Sequence, residues 1–313
     1  MSRAAYIRKR LILMVFVLFG VTVVIFSMVR VLPGDPAFII LGERATEQKA
    51  ADLREQLGLN RPLPEQYWLF VSGLVQGKMG TSLIFRQPVS ELVLSRVPIS
   101  IALAVYAMAL AAVITLAFGL LAAANKGRWI DQLIRIIFLF VLTTPVFWFG
   151  ILMILLFALG LKWFPVAGFG DTLPEHIWYL FLPALTLALQ LSAILIRNLR
   201  GQIILIMRSD FVRTAQAKGL TERMVLLRHV LRNALLSTVT IFGLQFGFLM
   251  GGTLVIETVF AVPGMGQLLF TSITSRDYPV VQAITVVSAV LVIIVNLAVD
   301  LSYSFLDPRV TYE

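Results

Sequence analysis

Residues 99–124 read ISIALAVYAMALAAVITLAFGLLAAA, a run of 26 residues without a charged side chain. A helix crossing a hydrocarbon core about 30 Å thick needs roughly 20 mostly apolar residues, so this stretch is long enough to span a bilayer. Five more qualify: 11–32, 133–159, 180–196, 235–256 and 280–303. The fourth is short, at 17 residues, and leans on Trp178 and Tyr179 as an interfacial anchor. A membrane barrel would need alternating strands of about ten residues, and continuous runs like these exclude it. The expected fold class is therefore an all-α membrane protein with six transmembrane helices.

Composition agrees. Of 313 residues 59% are apolar and 14% charged, with a mean hydropathy of +0.90, against roughly 45–50% and about 25% in soluble domains. This excludes a soluble enzyme, a disordered tail, a collagen and a disulfide-stapled module. The absence of cysteine removes zinc-thiolate sites, iron–sulfur clusters, thiol catalysis and disulfides.

In a soluble chain a net charge of +9 would suggest nucleic acid. Here the placement of Lys and Arg reports topology instead. With the N-terminus inside, the cytoplasmic segments hold 16 basic residues, whereas the two short outer loops hold only Lys162 and Arg276. The long outer segment 33–98 carries seven basic and seven acidic residues, but long loops translocate largely regardless of charge. Both termini are thus expected in the cytoplasm. The first span follows Arg8, Lys9 and Arg10, yet its mostly apolar stretch of 22 residues exceeds a signal-peptide core, and Pro33-Gly34-Asp35-Pro36 replaces a small-residue cleavage site. It reads as a retained helix.

The organisation expected is a tail and first helix over 1–32, an extracytoplasmic insertion over 33–98, a five-helix core over 99–304 and a cytoplasmic tail over 305–313. Within the insertion, ATEQKAADLREQL (residues 45–57) is rich in helix formers and ends at Gly58, a suitable C-cap. The core carries one sizeable cytoplasmic body, 197–234, with eight basic residues against Asp210 and Glu222.

Catalytic motifs are thin. Gly73-Leu74-Val75-Gln76-Gly77-Lys78-Met79 imitates a phosphate loop, but it has three residues between its glycines and Met79 where a magnesium-holding hydroxyl belongs. The two histidines, His176 and His229, fall on opposite sides of the membrane, and there is no HExxH or GxSxG. A basic inner loop by itself is a positive-inside determinant with some attraction for anionic lipid. That accounts for the charge of 197–234 but not for its order. Ser209 or Asp210 can cap a short helix, Gly219 can end it in the left-handed conformation, and Thr221 can cap the next. Ala215 and Ala217 before the turn make a small-residue knob, suited to another protein's groove or to an ordinary amphipathic connector.

Arg213-Thr214-Ala215-Gln216-Ala217-Lys218-Gly219 resembles the EAA loop of ATP-binding-cassette importer permeases, in the peptide branch's variant. Leu32-Pro33-Gly34-Asp35-Pro36, Gly58-Leu59-Asn60-Arg61-Pro62-Leu63, Gln66-Tyr67-Trp68, Pro263-Gly264-Met265-Gly266, Arg276-Asp277-Tyr278-Pro279 and Leu306-Asp307-Pro308-Arg309 are similar to the peptide/nickel permeases, in order along nearly the whole chain. Two positions depart: Arg213 stands for the general motif's Glu, and Ser237 for the Pro many relatives have at the entry to the fifth helix. The resemblance implies the type I importer permease fold with an outer insertion after helix 1, in the bacterial inner membrane. It also implies a second homologous permease subunit, two cytoplasmic ATPase subunits and an extracytoplasmic solute-binding protein. The chain itself would be non-catalytic, with no cofactor or metal of its own, ATP and magnesium being bound by the ATPases. Arg213, Thr214, Ala215, Ala217, Lys218 and Gly219 become the expected ATPase-coupling loop. Di- or oligopeptides are the expected cargo, with nickel, glutathione or oligosaccharide as alternatives.

Gly243, Gly247 and Gly251 form a stripe on the fifth span, for packing within the chain or against a second subunit. Gln190, Gln245 and Asn296 are translocation-path candidates, because polar groups inside spans are costly unless used. Asp300 sits near the inner end of the last helix, and Thr143-Thr144-Pro145 marks a kink in the third. An ion-coupled secondary transporter would instead predict inverted repeats and midplane carboxylates; the sequence displays neither. An intramembrane enzyme lacks a nucleophile–base or metal set.

Overall fold

The structure, a computed structural model, describes residues 3–31, 38, 46–56, 58 and 60–306. Among these every element is a helix, apart from an isolated antiparallel bridge between Thr81 and Pro88. Signature residues 32–37 and 307–309, and the side chains of Arg30 and Asp300, lie outside the described residues. The rest form two compact units, one drawn from 1–98 and 268–294, the other from 99–267 and 295–306.

In the first unit, α1 (Arg3–Val31) carries the apolar stretch Ile12–Met28. The expected insertion helix forms as α2 (Glu47–Gln56), and Gly58 follows with φ +66°. Sequence reading missed α3 (Leu63–Val75), which begins with Pro at its first turn and packs on α1. Tyr67 makes that contact, with its hydroxyl 2.8 Å from Thr22 Oγ1 and its ring edge-on to Phe19 and Phe26. A tight turn over 80–89 closes with Val89 N–H donating to Gly80 O. It is held from far away in sequence by Asp277, whose fully buried carboxylate accepts from Ser82 Oγ (2.5 Å) and the N–H groups of Leu83 and Ile84.

The apolar helix read at 99–124 is longer than expected, α4 running Val89–Ala124 with Pro98 inside it. The third span is not one helix. It forms α5 (Trp129–Thr143) and α6 (Val146–Met153), the latter continuing as a π-helical turn to Gly160, and the two halves bend by 113° at Thr144–Pro145. The fourth span is not short: α7 runs Leu173–Ile206, 34 residues, taking in Arg197 and Arg200. Two-thirds of its most apolar stretch (67%) is buried, against 22–28% in the other long helices, so α7 is the axis of this unit. Small residues admit its neighbours: Ala111 on α4 lies against Ala188, Leu191 and Leu195, and Ala122 joins Ile134, Phe138, Ala193 and Ile196.

After α7 come α8 (Asp210–Ala217), α9 (Glu222–Met224) with a π-helical continuation Val225–Val230, and α10 (Leu231–Val259). α11 (Met265–Thr274) and α12 (Tyr278–Leu306) are the last of the described helices. Among the described residues four helices are long and apolar enough to cross a membrane, five if the bent pair is one span.

Candidate functional site

The loop singled out in the sequence is a folded element on the ends of two long helices. Leu199 and Ile203 of α7, Val212 of α8, Val225 and Val230 of the π turn and Ala234 of α10 form one buried cluster. Val212 is wholly buried and Ala215, one helical turn on, packs against the same cluster. Positions three apart share a helix face, so the two alanines are split: Ala215 turns inward and Ala217 outward. The outward face of α8 and its turn holds Arg213, Thr214, Gln216, Ala217, Lys218 and Gly219, all exposed.

Local hydrogen bonding explains the shape. Ser209 occupies the N-cap position with extended backbone, but its hydroxyl donates back to Ile206 O at 2.6 Å instead of capping α8. Thr214 Oγ1 donates to Asp210 O, and Arg213 lies 3.4 Å from the exposed Asp210 carboxylate. Gly219 has φ +85°, and its N–H donates to Gln216 O. Thr221 Oγ1 then accepts from Met224 N, capping the next turn as its position suggested. Single π turns inside helices occur mostly at functional places, and the one here lies between this element and α10.

The polar residues inside spans are not gathered into one site. Gln190 Nε2 donates to Thr144 O at 2.7 Å at the bend and also reaches, at 3.5 Å, Val141 O, the acceptor that Pro145 has no N–H to serve. Asn296 lies against Gly247, its Oδ1 3.2 Å from where a Cβ on that glycine would sit. Gln245 is half-buried on α10. Of the glycine stripe, Gly243 is half-buried and Gly251 faces open space, while the contact with Leu187 of α7 is made by Gly252, outside the stripe.

Sequence reading missed a buried acid. Glu257, near the end of α10, is fully buried and accepts from Gly266 N–H at 2.6 Å, where α11 begins. Ser100 Oγ accepts from Met265 N–H beside it. A Cβ on Gly264 would collide with the Glu257 carboxylate, and one on Gly266 with the Leu254 backbone, which is why the Pro263-Gly264-Met265-Gly266 stretch needs its glycines. The signal was available: an acid six residues before Pro-Gly at a helix start. Among the described residues no group of three or more His, Asp or Glu side chains is placed to hold a metal.

The family described as "Binding-protein-dependent transport system inner membrane component" matches residues 115–312, and its N-terminal companion matches 3–104. This chain belongs to that family. The permease is 40% identical over 308 residues to the glutathione transport system permease protein GsiC of Escherichia coli strain K12, covering 98% of this chain and 99% of the relative. The protein of that name from Salmonella paratyphi A is 39% identical over the same length. Among solved structures, the crystal structure of an amino acid ABC transporter with histidines matches 69% of this chain and 94% of its own, with a TM-score of 0.53 at 15% identity. That likeness establishes the ABC permease fold. The chain is thus the permease component of an ABC importer in the inner membrane, in a family that works with an ATPase and a binding protein.

Proposed function

We propose that this permease forms half of the pathway of an ATP-driven importer for glutathione or short peptides, beside a second, non-identical permease. It crosses the membrane six times with both termini in the cytoplasm, as the Lys and Arg asymmetry favours, and 33–98 is an extracytoplasmic insertion on the 99–304 core. The chain breaks no covalent bond; ATP and magnesium belong to the ATPases, and the cargo reading rests on the likeness to GsiC.

One observation carries the mechanism. α8 presents Arg213, Thr214, Gln216, Ala217 and Lys218 outward while Val212 and Ala215 fix it to α7 and α10 together. An ATPase surface that grips the outward face and moves on closing ATP would therefore shift the ends of two spans as one body. Interfaces between packed elements are bistable rather than continuously deformable, so that shift can reopen the helices toward the other side.

The test is reconstitution of the permease with its co-expressed ATPases and binding protein in proteoliposomes. ATP-dependent accumulation of glutathione is expected, with Ala217→Asp removing both uptake and ATPase stimulation by loaded binding protein, because an unpaired carboxylate is costly to bury in the partner's groove. Accumulation driven by a proton or sodium gradient without ATP would overturn the coupling mechanism. Accumulation of nickel or an oligosaccharide with glutathione and short peptides excluded would overturn the cargo.

A further inference from the structure

Between α5 and α7 runs a groove of about 490 Å³, lined on α5 by Arg135, Ile136, Leu139 and Leu142 and on α7 by Arg197 and Arg200. Its charge is unbalanced. The one buried carboxylate beside it, Asp131, is taken by Arg200 through two contacts of 2.6 and 2.7 Å and by Gly127 N–H. Arg135 and Arg197 are exposed and neither makes an ion pair within 4 Å among the described residues, although Arg135 stands close enough to Asp131 to act on its carboxylate. The apolar wall starts beside them and runs away along α5, through Ile136 (65% exposed), Leu139 (59%) and Leu142 (39%). From residue 135 to 142 this wall is about 10 Å long at 1.5 Å per residue. Three arginines sharing one carboxylate at the head of an exposed apolar track match a charged headgroup joined to a hydrocarbon chain. A soluble anion would satisfy the arginines and leave the track beside them unused. Basic pockets between spans on the cytoplasmic side are where anionic headgroups bind.

We propose that this groove is a binding site for an anionic phospholipid of the cytoplasmic leaflet, its phosphate between Arg135 and Arg197 and an acyl chain along Ile136, Leu139 and Leu142. The leaflet, though not the groove, rests on the topology proposed above.

The test is native mass spectrometry of the full chain purified with its co-expressed partners, titrated with phosphatidylglycerol or with phosphatidylcholine of the same acyl chains. One phosphatidylglycerol per permease is expected in preference to phosphatidylcholine. Arg135→Gln with Arg197→Gln should weaken it roughly thirtyfold, from the energy of two basic groups near an anionic lipid. Arg135→Lys with Arg197→Lys should retain most of the binding, which separates lost charge from lost folding. Arg208→Gln with Arg223→Gln, in the neighbouring basic groove, should leave it unchanged. No headgroup preference in the wild type, equal loss in the Arg208/Arg223 control, displacement by glycerol phosphate at equal concentration, or binding only once the second permease is removed would each overturn the proposal. Independently, Arg128→Cys in this cysteine-free chain reports the side of the membrane by labelling with an impermeant maleimide. Labelling from outside would overturn the topology, while the lipid titration still decides the groove.

Discussion

Replacing Gly219 by valine tests the coupling element most directly. Gly219 has φ +85°, and a Cβ there would meet nothing within 4 Å, so crowding adds nothing. The whole cost is conformational: about 1–2 kcal/mol for an L-residue held in the left-handed region, toward the upper end for a β-branched one. Against a domain stability of about 5–15 kcal/mol the chain still folds and inserts. At the turn itself the same energy shifts the balance between the native and misdirected exits from α8 by about 5–30-fold. Uptake of cargo in proteoliposomes should fall by that factor at equal abundance, and ATPase stimulation by loaded binding protein should fall with it. Gly219→Asn should recover most of the activity, because asparagine tolerates this conformation better than other side chains. Wild-type transport by the valine variant would show that the turn transmits nothing. An asparagine variant as impaired as valine would show that the loss is not conformational.

Reporter fusions after Gly80 and Asp171 should read outside, and those after Gly127 and Gly219 inside; a cytoplasmic signal at Gly80 would invert the topology. Gly247→Leu should lower the yield of intact complex after detergent extraction more than Gly20→Leu, because a side chain at 247 meets Asn296 at 3.2 Å whereas one at 20 meets nothing; equal yields would refute packing there. Gln190→Leu leaves Thr144 O without its 2.7 Å donor, and a loss of about 1 kcal/mol should appear as a lower Tm of the purified permease, with an unchanged Tm arguing that the bend is held by other contacts.

Hydropathy made the long helices legible because a bilayer demands unbroken apolar runs, and punctuation made Gly58, Gly219 and Thr221 legible because capping is local. The bend at Thr144–Pro145 was not, for a physical reason. Pro98 and Pro183 sit inside α4 and α7 without breaking them, so proline alone does not decide. At the bend before Pro145 the open carbonyls of Val141 and Thr144 find Gln190, 49 and 46 residues on, and no local pattern reveals that partner. The same limit hid Glu257, whose donor belongs to the next helix, and the inward turn of Ala215, which depends on Leu199 and Ile203.

The clamp on the 80–89 turn has a consequence in time. Asp277 lies 195 residues after Ser82, and chains grow at about 5–20 residues per second. The turn therefore waits about 10–40 s after its own synthesis before its anchor exists. During that interval Arg86 and its neighbours are held only by bonds within the turn, such as Arg86 N–H to Ser82 O and Val89 N–H to Gly80 O, and a protease would find them in nascent permeases far more readily than in finished ones. It follows as well that segment 33–98 cannot be exchanged between relatives as a single cassette. A chimera that receives 33–98 needs the matching residues around Asp277 with it, or it carries a loop whose three donors face no acceptor.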